Sequence, residues 1–408
     1  MDLGDLSRLL SGEGWGLLQS LPPYDESSAL ALGSRLRAAG FDAALVAAAL
    51  SQSRLRARAG EKFGEFAAGM LFTPDGLEQA TRLPVAARHA ERFRSAGVRA
   101  VHDLCCGIGS DAMALAGLDL RVTAIDADEV TAAVAGVNLR HWPGATTGVG
   151  RAQDARLPTG ACARHVGGWL DPARRLPGVT DASGRTRRVF SLSAISPSWQ
   201  LVQDIAAQLP ATGAKLSPAF PHPAVPAGAE AQWTSYGGEV VECALWWGPL
   251  ATAPGRSALV LAPGAADTTV RQSDSVAVSP VVQGLGDLRT WLYEPDRAVL
   301  RAGLTGALVS RTGGAELDRG VGYVSSDSMV DVPYARRFMV SEAMPFNVKA
   351  VRAWLRDHDI GNVTLKKRGV SLDTDLLRRQ LRLTGSQTQV LVLTRVAGQQ
   401  VCVMLRPT

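Results

Sequence analysis

Over residues 1–95, leucine and alanine recur at three- and four-residue spacing between arginine, glutamate and aspartate, the period of an amphipathic helix. The pattern is strongest over Ser27–Ser51 and Leu77–Phe93, with Pro22, Pro23, Pro74 and Pro84 as expected interruptions. From Val98 the texture changes: short apolar runs at Val98–Leu104, at Val122–Ile125, before Asp154 and at Gly168–Leu170 alternate with helical stretches. This βαβ rhythm predicts an α/β protein with a doubly wound parallel sheet. Residues 173–187 and 210–231, rich in Pro, Gly and Arg, read as loops, and the alternation over Glu239–Trp247 reads as a late strand pair. The sheet is expected to close near residue 263, and residues 264–300 read as a connecting segment. A small α+β module follows, with a helix at Asn347–His358, a strand near Asn362–Lys366, a helix at Thr374–Leu383 and a final hairpin, Gln389–Arg395 with Gln400–Leu405. The expected organisation is a helical lead-in over 1–95, an α/β domain over 96–263, the connecting segment, and an α+β domain over 301–408. No internal repeat is visible.

At 408 residues and 46% hydrophobic, the chain can bury two or three cores. No run of 18 apolar residues exists, and the acidic start at Asp2 and Asp5 lacks the basic segment of a secretory signal. Neither membrane insertion nor export is expected. The five cysteines, 105, 106, 162, 243 and 402, are odd in number and without CxxC spacing. Neither a disulfide framework nor a cysteine metal site is indicated, which points to a reducing cytoplasm. Only five of the 43 basic residues are lysines, a compositional bias given no functional weight. Charge is uneven: residues 301–408 carry 16 Arg and Lys against nine Asp and Glu, while the whole chain nets +5. A surface for a polyanion, if present, belongs to that end.

The most informative stretch is Val101-His-Asp-Leu-Cys-Cys-Gly-Ile-Gly-Ser-Asp111, followed by an alanine-rich helix and Val122-Thr-Ala-Ile-Asp-Ala-Asp128. Gly107 and Gly109 let the backbone turn sharply after a strand and let a ligand approach the next helix, the arrangement of a Rossmann-like nucleotide site. Gly107-x-Gly109-x-x-Ala112 also mimics the dinucleotide fingerprint, which alone is weak evidence for an NAD-dependent oxidoreductase. Asp103 at the strand end and Asp111 at the helix start would oppose a pyrophosphate. A ligand without phosphates and with a cationic ammonium suits them better, and S-adenosylmethionine is such a ligand. Asp126, ending the second strand, is placed to accept from ribose hydroxyls, and Asp154 from an adenine amino group; strand-end capping is the bland alternative for the acidic residues. Cys105 and Cys106 lie in the turn, where small packing residues are expected.

Gly168-Trp-Leu-Asp-Pro-Ala-Arg-Arg175 puts Asp171 and Pro172 at the carboxyl end of the fourth strand, where open α/β sheets do their chemistry. The Asp171 carboxylate is placed to orient or deprotonate a nucleophile, and Arg174 and Arg175 to meet a phosphate; a turn-forming Asp-Pro with solvated arginines is the alternative. Trp199 either stacks on a base or packs the sheet. Upstream, Thr73 with Pro74 is either a helix N-cap or, with Phe72, a closure over the cofactor.

Phe-Thr-Pro, Asp-Leu-Cys-Cys-Gly-Ile-Gly-Ser-Asp, Ile-Asp-Ala-Asp, Gln-Asp and Asp-Pro-Ala-Arg-Arg, in this order, resemble class I S-adenosylmethionine-dependent methyltransferases, and more narrowly a bacterial group with a C-terminal THUMP-like domain. The likeness covers roughly 60–250, and 300–408 through Lys366-Lys-Arg-Gly-Val370 and Leu393-Thr-Arg395. It implies cofactor contacts at Asp103, Gly107, Gly109, Asp126 and Asp154, with Cys105 in the same turn, and methyl transfer beside Asp171 and Pro172. Because THUMP domains elsewhere bind structured RNA, it also implies an RNA substrate, held through Lys366, Lys367, Arg368, Arg378, Arg379 and Arg382. Ala173 and Arg174 depart from the Pro-aromatic ending of amino-group methyltransferases acting on bases. Val189–Pro197 offers serines where uridine C5 enzymes need a nucleophilic cysteine, so C5 chemistry is disfavoured. A methyltransferase of proteins or small molecules, or a non-catalytic protein keeping the cofactor fold, are the competing expectations.

Overall fold

A computed structural model of the chain describes residues 1–173 and 192–406 in full and the main chain of 175–180, 186–188 and 407. The chain forms two compact units, residues 1–220 with 244–252, and residues 221–243 with 253–408.

The first unit opens with helices α1 (Leu3–Leu10), α2 (Gly12–Ser20), α3 (Ala29–Ala38), α4 (Ala43–Phe63), α5 (Pro74–Gln79) and α6 (Leu83–Ser95). The continuous pattern over Ser27–Ser51 is divided at Gly40, whose φ of 97° ends α3. Asp42 then caps α4 by accepting from the Leu45 amide at 2.9 Å. Pro74 and Pro84 stand in the first turns of α5 and α6, where a missing N–H costs nothing, so they start helices rather than interrupt them.

Strands β1 (Ala100–Asp103), β2 (Arg121–Asp126), β3 (Ala145–Val149) and β4 (Val166–Leu170) follow, joined through α7 (Ser110–Gly117) and α8 (Glu129–Leu139). A short antiparallel pair, β5 (Arg175–Thr180) and β6 (Thr186–Arg188), precedes α9 (Trp199–Gln208) and β7 (Ala211–Leu216). The order β7-β4-β1-β2-β3 is parallel throughout. Connections run in opposite directions on the two sides of β1 and β4, which makes the carboxyl ends of these strands the crevice where such sheets take ligands. This is the expected Rossmann-like doubly wound sheet.

β5, the first two residues of β6, and β7 fall in the segments 173–187 and 210–231 read as loops. β7 escaped because its sequence, Ala-Thr-Gly-Ala-Lys-Leu, is built from small residues. Trp169 and Trp246 stack with ring centroids 5.4 Å apart, and a Cβ on Gly213 would come within 2.8 Å of both rings. Large partners on neighbouring strands thus force small residues here and erase the apolar signal.

The second unit contains β8 (Glu230–Tyr236), the larger part of β9 (Glu239–Trp246), β10 (Gly255–Leu261) and β11 (Thr268–Arg271). Gly237 and Gly238, at φ 58° and 84°, make the tight turn between β8 and β9. β10 runs parallel to β8 and antiparallel to β11.

A seven-stranded sheet completes the unit: β12 (Trp291–Pro295), β13 (Ala315–Glu316), β14 (Val324–Ser326), β15 (Ala335–Pro345), β16 (Ile360–Lys367), β17 (Gln387–Val396) and β18 (Gln399–Pro407), ordered β13-β14-β12-β15-β18-β17-β16. The helices are α10 (Arg297–Arg301), α11 (Thr305–Thr312), α12 (Val348–Asp357) and α13 (Thr374–Leu381). Residues 264–300 therefore hold β11, β12 and the start of α10. Alternate residues of β17 serve two cores, Val390 and Val392 in one, Leu391 and Leu393 in the other. The second core is completed by Val351 and Leu355 of α12 and Leu377 and Leu381 of α13. No helix is long and apolar enough to cross a membrane among the described residues.

Candidate functional site

β1 ends at Asp103, β2 at Asp126, and Asp171 follows β4, so three carboxylates reach the crevice end of adjacent parallel strands. The turn after β1 uses Gly107 and Gly109 at φ 56° and 88°, a region other residues enter only at a cost. Asp126 pins this turn: its carboxylate accepts from the Gly107 amide at 3.0 Å and from the Asp128 amide at 3.0 Å. Burial raises its pKa against those amide contacts.

Asp103 is 1% exposed, and both carboxylate oxygens lie buried without a hydrogen-bond partner among the described residues. Burial, then the nearby carboxylates of Asp111, Asp171 and Asp126, drive its pKa well above the ordinary carboxylate range. The Cys105 amide pulls the other way without reaching hydrogen-bond geometry. A buried acceptor left unpaired is costly and marks a place for a donor, best a cationic one.

Asp111 does not face the turn, so the electrostatic case against a pyrophosphate rests on Asp103. Asp111 points into the core, accepting from Thr81 Oγ1 at 2.7 Å and lying 2.7 Å from His89 Nδ1. Burial pushes its pKa up, but His89, Lys215 and Thr81 outweigh that and lower it. Lys215, in β7 and 4% exposed, donates to Thr81 Oγ1 at 2.8 Å and to Asp171 Oδ2 at 2.5 Å. Sequence reasoning missed the lysine, threonine and histidine of this network. The signal was present: Lys215 is one of five lysines in an arginine-rich chain, and a lone lysine in a buried strand requires a partner.

Thr73 caps α5, its hydroxyl accepting from the Gly76 amide at 3.0 Å. Phe72 is fully buried against Phe63, with its main chain held by Gln52. Packing and capping account for both. Asp154 is exposed in a short 3-10 turn after β3. Cys105 is half-buried and Cys106 buried, and burial pushes both thiols up, away from thiolate chemistry. Pro172 is buried, and the next residue, Ala173, exchanges two main-chain hydrogen bonds with Ser196 at 2.7 and 3.1 Å. Trp199 packs on Phe220 and Trp247. Arg174 and the Arg175 side chain lie outside the described residues.

In the second unit, Lys366 Nζ donates to Glu294 Oε2 at 2.5 Å, and Arg368 reaches Glu294 Oε1 at 3.5 Å while lying over the Tyr323 ring. Lys367 donates to the Leu372 carbonyl and Arg378 to the Val363 carbonyl. Among the described residues no group of three His, Cys, Asp or Glu side chains is placed to hold a metal.

The strand order and the glycine turn define a Rossmann-like α/β protein whose ligand end is acidic. The family model for THUMP domain-like regions matches residues 335–407, and one for a domain of unknown function matches residues 2–59. Two proteins of Mycobacterium tuberculosis, from strains CDC 1551 / Oshkosh and ATCC 25618 / H37Rv, are each 33% identical over 352 residues. The aligned region spans 84% of this chain and 91% of the relative, and both relatives are described as uncharacterized S-adenosylmethionine-dependent methyltransferases. The crystal structure of a Porphyromonas gingivalis W83 protein assigned to the methyltransferases superposes with a TM-score of 0.73, covering 95% of this chain and all of that one at 19% identity. The chain belongs to the S-adenosylmethionine-dependent methyltransferases. It is an enzyme, and S-adenosylmethionine is its methyl donor. The residues fit that donor: the unpaired, buried Asp103 carboxylate matches its ammonium group, and the glycine turn admits a nucleoside without offering a pyrophosphate a welcome.

Proposed function

We propose that the chain methylates RNA, with Asp103, Cys105, Gly107, Gly109, Asp126 and Asp154 holding the cofactor and Asp171 and Pro172 flanking the accepting atom. The observation that carries the RNA reading is the coincidence of the THUMP-like match with the +7 balance of residues 301–408; positive charge is what phosphate backbones select. Asp103 takes the ammonium. Asp126, already fixed by two amides, keeps lone pairs for ribose hydroxyls, since a carboxylate has about four. Asp154 stands exposed for the adenine amino group. When bound, S-adenosylmethionine supplies an electrophilic methyl group. The protein's part is to fix the nucleophile in line, and positioning of this kind supplies several kcal/mol of barrier reduction, on the order of 7 or more in favourable cases. Arg174 and Arg175 are assigned to phosphates, as are the exposed Arg379 and Arg382 of the basic module, because Lys366, Lys367 and Arg368 are already engaged with Glu294 and the Leu372 carbonyl.

Calorimetric titration of S-adenosylmethionine and of NADH tests the cofactor assignment. The expected result is binding of S-adenosylmethionine alone, weakened at least about tenfold in Asp126→Ala by loss of charge-assisted hydrogen bonds. Methyl-tritiated donor then tests the substrate against total RNA and total protein. Ribonuclease-sensitive label supports the proposal; protease-sensitive label replaces it with a protein substrate.

A further inference from the structure

The network behind Asp171 has a fixed direction. Thr81 has one hydroxyl hydrogen and two polar neighbours, Asp111 Oδ2 at 2.7 Å and Lys215 Nζ at 2.8 Å. An ammonium only donates, so Thr81 accepts from Lys215 and gives its hydrogen to Asp111. Asp111, held below the ordinary carboxylate range, can only accept, so His89 Nδ1 carries a hydrogen and donates to Oδ1 at 2.7 Å. With Lys215 as an ammonium every hydrogen of the network finds an acceptor, His89 to Asp111 and Lys215 through Thr81 to Asp111, and the lysine, its side chain 5% exposed, lies 2.5 Å from Asp171 Oδ2.

Among the described residues, the Asp103 carboxylate is within electrostatic reach of Asp171, and the Asp111 carboxylate and the Lys62 ammonium are within reach of Lys215. A neighbouring carboxylate favours proton uptake by Asp171, and among the described residues Lys215 is a cation in direct contact with it. We propose that Lys215 is a positioning residue that keeps Asp171 an ionised, acceptor-only carboxylate, so that the site takes nucleophiles bearing a hydrogen on nitrogen or oxygen: a hydroxyl, an exocyclic amine or a ring N–H. A ring carbon offers that carboxylate no hydrogen bond, and a ring nitrogen without hydrogen turns a lone pair towards it.

The inference rests on the proposed function only in placing Asp171 at the accepting atom. On methylation the nucleophile's lone pair forms the new bond to carbon, the carbon–sulfur electron pair stays on sulfur, and the nucleophile sheds one proton. The Asp171 carboxylate accepts that proton, and no oxidant or reductant is required.

The test is carboxyl-carbon NMR of protein labelled with [4-13C]aspartate, with the Asp171 resonance assigned through Asp171→Asn. The wild type and Lys215→Arg are expected to show an ionised Asp171 from pH 8 down to pH 5. Lys215→Met is expected to shift the midpoint upward by about one to three pH units. A wild-type Asp171 resonance that titrates above pH 6 overturns the proposal without recourse to any variant, as does an unchanged titration in folded Lys215→Met. Nucleoside analysis of RNA labelled by the wild type gives the second readout: methyl on an oxygen, an exocyclic nitrogen or a ring nitrogen that carries hydrogen, such as guanine N1 or uracil N3, supports the inference, and methyl on carbon or on a ring nitrogen without hydrogen overturns it. Unlabelled RNA with the expected titration refutes the RNA substrate and leaves the role of Lys215 standing.

Discussion

Lys215 and Lys366 make the same contact, an ammonium 2.5 Å from a carboxylate oxygen, in two different settings. Lys215 is 5% exposed and serves a site where three strand-end carboxylates gather, with Asp103 buried and unpaired among the described residues close by. Lys366 is 23% exposed and shares Glu294 with Arg368, so there cations outnumber carboxylates. The first region is where the fold leaves a buried acceptor unanswered. In the second, the residues that look most basic in sequence are already engaged with carbonyls and a glutamate. Counting charge along a chain finds both regions; only burial and hydrogen-bond accounting separate a vacancy for a ligand from a satisfied surface.

Parallel substitution of the two lysines is the sharpest way to break this contrast. Lys215→Met removes a buried ammonium that donates to both Asp171 and Thr81 and is expected to cost about 3 kcal/mol. Lys366→Met leaves Glu294 with Arg368 at 3.5 Å and is expected to cost less, about 1 to 2 kcal/mol, the worth of a hydrogen bond to a charged group whose partner is retained. Urea unfolding of both variants checks the difference, and equal losses would erase the distinction between the two settings.

Asp103→Asn comes next in size. Burial raises the folded pKa of Asp103 above its unfolded value of 3.8, so the unfolded chain ionises first. The contribution of this group to stability is therefore present below about pH 4 and is lost as pH rises towards the folded value. Asparagine removes that loss, so the variant is expected to be no less stable than the wild type at neutral pH. Affinity for S-adenosylmethionine should nonetheless fall about 10- to 100-fold, the worth of a hydrogen bond to a charged group. Thermal unfolding and calorimetry, run on the same samples, decide it; a parallel fall in both would make Asp103 structural.

The glycine turn, the strand-end carboxylates and the closing α12-to-β18 module were legible because each has a local signature: positive-φ glycines, an aspartate after an apolar run, periodicity that switches between helix and strand. The elements that escaped are those whose character is set by distant neighbours. β7 reads as loop because Trp169 and Trp246 leave room only for small residues at Gly213. Asp111 reads as ligand-facing because its partners, Thr81 and His89, lie 30 and 22 residues away in the chain. Lys215 lies 44 residues from Asp171 and 134 from Thr81, beyond any pattern of local spacing.

The smallest expected effect concerns the basic module itself. Arg379 and Arg382 are exposed, whereas Lys367 donates to the Leu372 carbonyl at 2.7 Å. If residues 301–408 hold RNA through phosphates, neutralising exposed cations should remove counterion release. Arg379→Gln with Arg382→Gln is therefore expected to lower the slope of log affinity against log salt by about 1 to 2, at roughly 0.7–0.9 for each phosphate no longer neutralised. Lys367→Gln should move the slope less, because its ammonium is already turned towards the protein. RNA binding measured between 50 and 200 mM salt, about the range in which such slopes are resolved, reads both variants. A larger effect from Lys367 than from the arginine pair would place the phosphate track along β16 rather than α13, and reverse the ranking of engaged and available cations on which the contrast with Lys215 depends.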